Sequence, residues 1–291
     1  MDELIYRKEF KPYYKRILLL WGAFIVCLLF TTIISALFAG IIGNRMALIY
    51  ASSALQNICV FILPALLTAY YITPQPVSLL ALDRKPGGWQ IFVVIMTLIL
   101  SMPAMNYLVY LNESIDLPDS ALEEWFRNTE AAARAVTDEL LATRSVGTLA
   151  VSVLIAGVLT GFGEELFFRG AQQRIFLLRG INGHVAVWVT AVIFSALHFQ
   201  FYGFFPRLLL GAFFGYLAWK GGSIWLPVIA HALNNSLAVV FGYLAMNSPA
   251  FADIDSYGVP GVGEFPVVAL LSLVTTVLFL LLCGKKIVSR Y

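Results

Sequence analysis

The sequence predicts an all-α membrane protein, a polytopic bundle of about eight transmembrane helices in a single domain, residues 1–291. Of its 291 residues, 60% are hydrophobic and only 12% are charged, and the mean hydropathy is +0.83. Soluble domains do not have this composition. A helix that crosses the hydrocarbon core needs about 20 consecutive apolar residues, and eight segments approach or exceed that length. They are residues 17–41, 46–73, 89–111, 146–178, 182–199, 204–220, 223–246 and 265–284.

The basic residues predict the orientation, because cytoplasmic loops carry an excess of Lys and Arg. Five Lys and Arg residues precede the first apolar segment, which places the N-terminus in the cytoplasm. Eight crossings then return the C-terminus to the same side. The acidic segments 112–124 and 253–264 fall outside, while Arg45 and Arg207 are exceptions to the bias. Compact size and short loops indicate a multi-pass protein of the cell membrane, the bacterial inner membrane.

The only long insert between apolar segments predicts an amphipathic extracytoplasmic helix at about 119–144. Ser120 and Glu123 form a capping-box pattern at its start. Apolar residues then recur at helical spacing, which is typical of a helix that lies on a membrane surface. These residues are Leu122, Trp125, Phe126, Ala133, Val136 and Leu140. A lid over a site and a partner-binding surface are the alternative interpretations.

Two adjacent carboxylates and a guanidinium, Glu164, Glu165 and Arg169, lie inside the fourth apolar segment. Charge is costly in the membrane and is therefore a sign of function. Glu165 and Arg169 are four residues apart on one helix face, so we expect them to form an ion pair. Glu164 is turned from its neighbour by about 100° and can face elsewhere.

Two further pairs with a spacing of four lie on later apolar segments. Phe194 and His198 share a face of the fifth segment, and His231 and Asn235 share a face of the seventh. Taken alone, an intramembrane histidine is more often structural, and an asparagine more often joins two helices by a hydrogen bond. His184 is interpreted as solvent-exposed, because it follows a predicted turn at residues 180–183.

A hairpin of the fourth and fifth segments would bring Glu164 and His198 to the same depth. Glu164 lies 16 residues before Gly180 and His198 lies 15 residues after Gly183, or about 23 Å along each arm at 1.5 Å per residue. His231 is only about 12 Å from the start of its own segment. A common site therefore requires the 180–183 turn to project into the cytoplasm. This predicts a cavity in the inner leaflet. It also predicts that the 199–206 connection lies at or below the outer surface.

These residue types suit hydrolysis in either of two ways. A buried glutamate can take a proton from water, with His198, His231 and Asn235 as hydrogen-bond donors to the oxyanion. Alternatively, Glu164, His198 and His231 could bind zinc with water in the fourth position. The residues alone leave both versions open.

The three patterns, EExxxR at 164–169, FxxxH at 194–198 and HxxxN at 231–235, resemble the motifs of the CAAX-prenyl-protease and bacteriocin-processing (Abi) family of intramembrane proteases. The resemblance implies an eight-helix endopeptidase with a catalytic core at about 146–246 and a site that opens toward the cytoplasm. In such proteins, the residues that match Glu164 and His198 activate water, and those that match His231 and Asn235 stabilise the oxyanion.

The resemblance also assigns supporting roles to Glu165, Arg169 and Phe194, and it implies a membrane-associated peptide or protein substrate. Eukaryotic members cut prenylated CAAX tails, and bacterial relatives are linked to bacteriocin maturation and immunity. No nucleic-acid partner is predicted, and zinc is the one possible cofactor.

Three other functions compete with a protease. A transporter or channel would also place ionisable residues in helices, but it often has related halves, and here these residues are confined to the fourth to seventh segments. A non-catalytic bacteriocin-immunity or scaffold protein would not require all three motifs. A prenyltransferase-like enzyme would show Asp-rich motifs, which the sequence lacks.

Overall fold

The computed structural model describes residues 6–10, 12–141, 145–261 and 263–287. Within these ranges the chain forms helices and loops without a strand, so the predicted all-α bundle is confirmed. Nine longer helices are present in the described residues. They are α1 (Tyr13–Ile41), α2 (Arg45–Ile72), α3 (Gly88–Glu113), α4 (Ala121–Leu141), α5 (Val146–Leu178), α6 (Gly183–Ala196), α7 (Phe204–Gly221), α8 (Trp225–Asn247) and α9 (Val267–Cys283).

The eight predicted apolar segments correspond to all of these helices except α4. Six of the helical segments are long and apolar enough to cross a membrane, whereas α6 has 14 residues and α9 has 17. At 1.5 Å per residue, α6 reaches about 21 Å, which is short of a hydrocarbon core of about 30 Å. The prediction of a helical span over residues 182–199 is therefore wrong at its end, because the helix stops at Ala196.

Irregular backbone continues from the end of α6 into the bundle. Phe199 has a φ of +54°, in the left-handed region that is uncommon for an aromatic residue, and a short 3₁₀ turn follows at Phe201–Gly203. The buried Asn112 of α3 fixes this loop: it donates to the Phe201 carbonyl (3.2 Å) and accepts from the Phe205 backbone N–H (2.9 Å). Such backbone is tolerated at membrane depth where protein or a cavity surrounds it.

Helix α4 lies across one end of the bundle, which we call the α4 end. The predicted amphipathic helix is present at Ala121–Leu141, and the Ser120 hydroxyl accepts from the Glu123 backbone N–H as the capping pattern predicts. The predicted residues 142–144 lie outside the described part of the chain. Glu139 pairs with Arg45 at the start of α2 (2.5 Å), and Arg134 pairs with Glu113 at the end of α3. The start of α2 and the end of α3 therefore meet α4 here.

The opposite end of the bundle is built from the remaining connections. The Trp225 indole N–H donates to the Leu82 carbonyl (3.0 Å), and Gln90 donates to the Ile287 carbonyl (2.7 Å). Gly183 at the start of α6 lies directly against the Trp219 ring of α7. His184 is exposed here, as predicted, with Nδ1 2.7 Å from the Tyr216 hydroxyl.

Helices α5 and α8 pack unusually closely, because small residues face each other at their contact. A Cβ at Gly161 would lie 2.7 Å from the Ala232 backbone nitrogen, and a Cβ at Gly157 would lie 2.2 Å from the Ser236 hydroxyl. Small residues allow such close approach between membrane helices. This contact sets the distance between the carboxylates of α5 and the histidine of α8.

We predict that Gly161→Ala separates α5 from α8, because the new methyl group meets backbone rather than a movable side chain. Gly22→Ala on α1 is the matched control, since a Cβ there would have no neighbour within 4 Å. Thermal unfolding of the purified variants in detergent should show a clear loss of stability for Gly161→Ala alone. Equal melting temperatures would contradict the close contact.

The charge distribution predicts which end faces the cytoplasm. The end opposite α4 carries Arg84, Lys85, Arg179 and Lys220, and the positive-inside bias places such residues in the cytoplasm. A single cysteine replacing the exposed Asp119 at the α4 end should therefore react with a membrane-impermeant maleimide on intact cells, in a background without Cys27, Cys59 and Cys283. A cysteine replacing Lys220 should react only after permeabilisation, and the reverse pattern would contradict this orientation.

Candidate active site

The centre of the bundle holds one carboxylate that two other side chains share. Glu165 and Arg169 are fully buried, and Arg169 Nη1 donates to Glu165 Oε1 at 2.6 Å. The predicted ion pair is thus confirmed. His231 Nδ1 also lies 2.8 Å from the same oxygen, a contact that the sequence analysis did not foresee. Arg169 Nη2 donates to the Gly211 carbonyl (2.8 Å), so the charged group joins α5, α7 and α8.

Aromatic rings enclose this charged group. The Arg169 guanidinium lies 4.6 Å from the ring centre of Phe194 and 5.7 Å from that of Phe214, within the range of cation–π attraction. The Phe194 ring also contacts His198 edge-on (5.0 Å), and Phe214 stacks on His231 (5.1 Å). Phe194 was predicted to support the site. Phe214 was missed, because one phenylalanine among 22 carries no distinguishing sequence signal.

Glu164 faces a different direction from Glu165, as the helical turn between them predicts. It is 8% exposed, and its Oε2 lies 3.9 Å from His231 Nε2, too far for a direct hydrogen bond. Glu164, His198, His231 and Asn235 all line one cavity of about 360 Å³. The structure therefore brings together, from three segments of the chain, the four side chains that the sequence predicts as a catalytic set.

The hydrogen bonds of the two histidines fix their tautomers. His198 Nδ1 lies 2.8 Å from the Phe194 carbonyl oxygen, and His231 Nδ1 faces the Glu165 carboxylate. A carbonyl oxygen can only accept a hydrogen bond, and so can the Glu165 carboxylate when it is ionised. Each Nδ1 therefore carries a proton, and in a neutral ring each Nε2 has a free lone pair. With its Nδ1 proton engaged by Glu165, His231 can donate from Nε2 only as an imidazolium.

Asn235 has one amide proton in use within the bundle. Its Nδ2 donates to the Ala156 carbonyl of α5 (3.1 Å), and its Oδ1 accepts from Asn234 (3.3 Å). An amide nitrogen has two protons, and no described acceptor takes the second one. Asn235 thus joins two helices and lines the cavity at once, while the neighbouring Asn234 also lines the cavity without having been predicted.

The possible zinc site has no support in the geometry. Within the described residues, no group of three or more His, Cys, Asp or Glu side chains is arranged to hold a metal ion. Glu165 and the Phe194 carbonyl engage only Nδ1 of His231 and His198, so these two contacts by themselves do not argue against a metal at either Nε2.

The cavity lies toward the α4 end of the bundle. Its walls there include Glu113, Glu130, Tyr202 and Arg207, which come from α3, α4, the 201–203 turn and α7. The prediction of an outer α4 and the prediction of an inner-leaflet, cytoplasm-facing site therefore cannot both hold. They conflict because α6 ends at Ala196, so His198 follows the last turn of the helix at the α4 end instead of lying within a full-length span.

We predict that Arg169→Met strongly destabilises the protein, because it leaves the Glu165 carboxylate buried beside His231 without its guanidinium. Breaking a buried pair from one side costs about 3–5 kcal/mol, whereas exposed pairs contribute about 1 kcal/mol or less. Arg127→Met is the matched control: Arg127 also pairs with a glutamate four residues away, but its side chain is 59% exposed. Similar melting temperatures for the two variants would contradict the buried network.

Known proteins resemble the chain in the region that builds this cavity. Residues 146–237 match the family model for type II CAAX prenyl endopeptidases, Rce1-like. A Bacillus subtilis (strain 168) protein, named uncharacterized protein YpbD, is 24% identical over 125 residues, which are 42% of this chain and 59% of that protein. No solved structure matches the chain significantly. Over residues 146–237, the resemblance to this family that the three motifs carry is thus confirmed.

Proposed function

We propose that the protein is a membrane-embedded endopeptidase of the CAAX-protease type, which hydrolyses a peptide bond with water activated by Glu164. One observation carries this proposal. Glu164, His198, His231 and Asn235 line a single cavity, while the adjacent Glu165 is held by Arg169 and His231. Two neighbouring carboxylates thus have separate environments, one committed to structure and one free to exchange a proton.

The proposed reaction begins with water between Glu164 and His198. Glu164 takes one proton from the water, and His198 Nε2 accepts a hydrogen bond from the other, which holds the nucleophile in place. The resulting hydroxide oxygen attacks the carbonyl carbon of the peptide bond, and the carbonyl electron pair moves to oxygen. When this tetrahedral intermediate collapses, the C–N bond breaks and Glu164 returns the proton to the leaving nitrogen.

Stabilisation of the oxyanion falls to His231 and Asn235. As an imidazolium whose Nδ1–H the Glu165 carboxylate accepts, His231 can donate its Nε2–H to the oxyanion, together with the second amide proton of Asn235. Donors fixed in advance in a site with little water stabilise developing charge strongly. The contacts of Arg169, Phe194 and Phe214 support this role, because they hold His231 against rotation.

The substrate that suits such a site is a peptide segment presented from the bilayer. The cavity is partly open and is bounded by helices that expose apolar side chains outward, among them Ile99, Leu154, Val158 and Leu209. A membrane-associated peptide, with or without a prenyl group, reaches such a site by lateral movement in the membrane. Comparing prenylated with unmodified peptides in the assay below resolves that requirement.

We predict that Glu164→Gln, His198→Gln and His231→Gln each reduce peptide cleavage by the purified protein at least about 100-fold, because a positioned acid or base contributes 10² to 10⁴. Asn235→Ala should cause a smaller loss, since one oxyanion donor remains. The measurement is mass-spectrometric detection of cleavage in a peptide library and in a CAAX-type prenylated peptide, in detergent, with and without a chelator.

The chain offers matched controls for the glutamate and histidine variants. Glu124 on α4 is exposed and His184 lies at the opposite end of the bundle, so Glu124→Gln and His184→Gln should cleave at the wild-type rate. Full turnover by a correctly folded Glu164→Gln variant would contradict the mechanism. Loss of turnover on chelation, restored by zinc, would replace the glutamate mechanism with the metal version.

A further inference from the structure

Arg207 is a partly buried cation that forms no salt bridge in the described part of the chain. Its Nη2 donates to Gln200 Oε1 (2.8 Å), but its Nη1 is buried without a hydrogen bond and no described Asp or Glu lies within 4.0 Å. Glu130 and Glu164 are the acidic groups whose charges act on Arg207, but neither is close enough to form a salt bridge, and a buried N–H without an acceptor is costly. By contrast, the fully buried guanidinium of Arg169 has Glu165 and the Gly211 carbonyl as partners.

The position of Arg207 places its guanidinium at the cavity. It lies on the first turn of α7 and lines the same cavity as Glu164, His198 and His231. The guanidinium packs closely against the backbone of Gly203, since a Cβ there would lie 2.9 Å from Arg207 Nη2. Gln200 holds the guanidinium from one side and also donates to Glu130 (3.4 Å). One edge of the guanidinium is thus fixed and the other is unused.

We propose that Arg207 binds a carboxylate of the substrate and thereby sets which peptide bond reaches Glu164. A guanidinium fork matches a carboxylate geometrically, and a charge-assisted hydrogen bond is strongest where water is scarce. The carboxylate belongs either to the end of the peptide chain or to an acidic side chain near the scissile bond. A cavity of about 360 Å³ is at the small end of ligand sites, so the anchored group lies only a few residues from the cut.

This inference rests on the proposed function for its substrate class, but its test does not require turnover. The probes are three fluorescein-labelled pools of dodecapeptides whose last four residues are randomised over uncharged amino acids. The first pool has a free C-terminal carboxylate, the second has a C-terminal amide, and the third has the amide and one added glutamate. Fluorescence anisotropy measures their binding to full-length Glu164→Gln protein in detergent.

The free-acid pool should bind about tenfold or more tightly than the amide pool, the range expected for a charge-assisted hydrogen bond. Adding Arg207→Gln should abolish the difference, while Arg207→Lys should keep part of it. Arg45→Gln is the matched control, because Arg45 is at the same end of the bundle but pairs with Glu139 and is 70% exposed. If the glutamate pool binds as well as the free acid, the carboxylate source includes side chains.

Equal binding of all three pools, or binding by none, would overturn the inference. So would an acid preference that survives in a folded Arg207→Gln variant, as judged by its thermal unfolding. If the wild-type protein cleaves nothing yet binds acids through Arg207, the proposed protease function fails while this inference stands. If the wild-type protein cleaves peptides but neither binding nor cleavage depends on Arg207, this inference fails while the proposed protease function stands.

Discussion

The buried carboxylate of Glu165 organises the rest of the site. Because Arg169 and His231 both bind its Oε1, a single atom connects α5 to α8, and Arg169 extends the connection to α7 through the Gly211 carbonyl. Removing either Glu165 or Arg169 would leave the charge of the other buried without compensation. The close packing of Gly157 and Gly161 against α8 is needed for this geometry, since side chains there would separate the helices that carry the three groups.

Fixing Glu165 leaves Glu164 free, and the proposed chemistry depends on that division. The two carboxylates are adjacent in sequence, yet only Glu165 has a guanidinium partner within hydrogen-bond distance. Glu164 faces space shared with two imidazoles whose Nδ1 protons are engaged elsewhere. The irregular backbone after α6 contributes as well, because it ends the helix where His198 is needed and opens room for the cavity walls of Tyr202 and Arg207.

Local spacing was enough to predict much of this arrangement. The pair of Glu165 and Arg169, the common cavity of the four motif residues and the helix over residues 121–141 all follow from periodicity of three to four residues and from the cost of charge in lipid. The early end of α6 could not be predicted, because it depends on Asn112, which is 89 residues from its partner Phe201. The packing of α4 over the cavity could not be predicted either, so the conflict between an outer α4 and an inner-leaflet cavity did not emerge from the sequence.

Long-range contacts also account for the residues that the sequence did not single out. Arg207 was only an exception to the charge bias, and Glu130 only one acidic residue on the polar face of a surface helix. Both become cavity residues through the packing of α4 and the 201–203 turn over the end of the bundle. Tertiary structure, rather than any local pattern, gives them their place.

The central claim is that Glu164 activates water rather than attacking the peptide itself. Its most direct test is a single turnover in H₂¹⁸O, with enzyme in excess, followed by mass spectrometry of the product and of the proteolytic fragment that contains Glu164. The account predicts one ¹⁸O atom in the new carboxylate of the product and none in Glu164. An ¹⁸O label in Glu164, with an unlabelled product, would show a covalent acyl intermediate on that carboxylate and contradict the account.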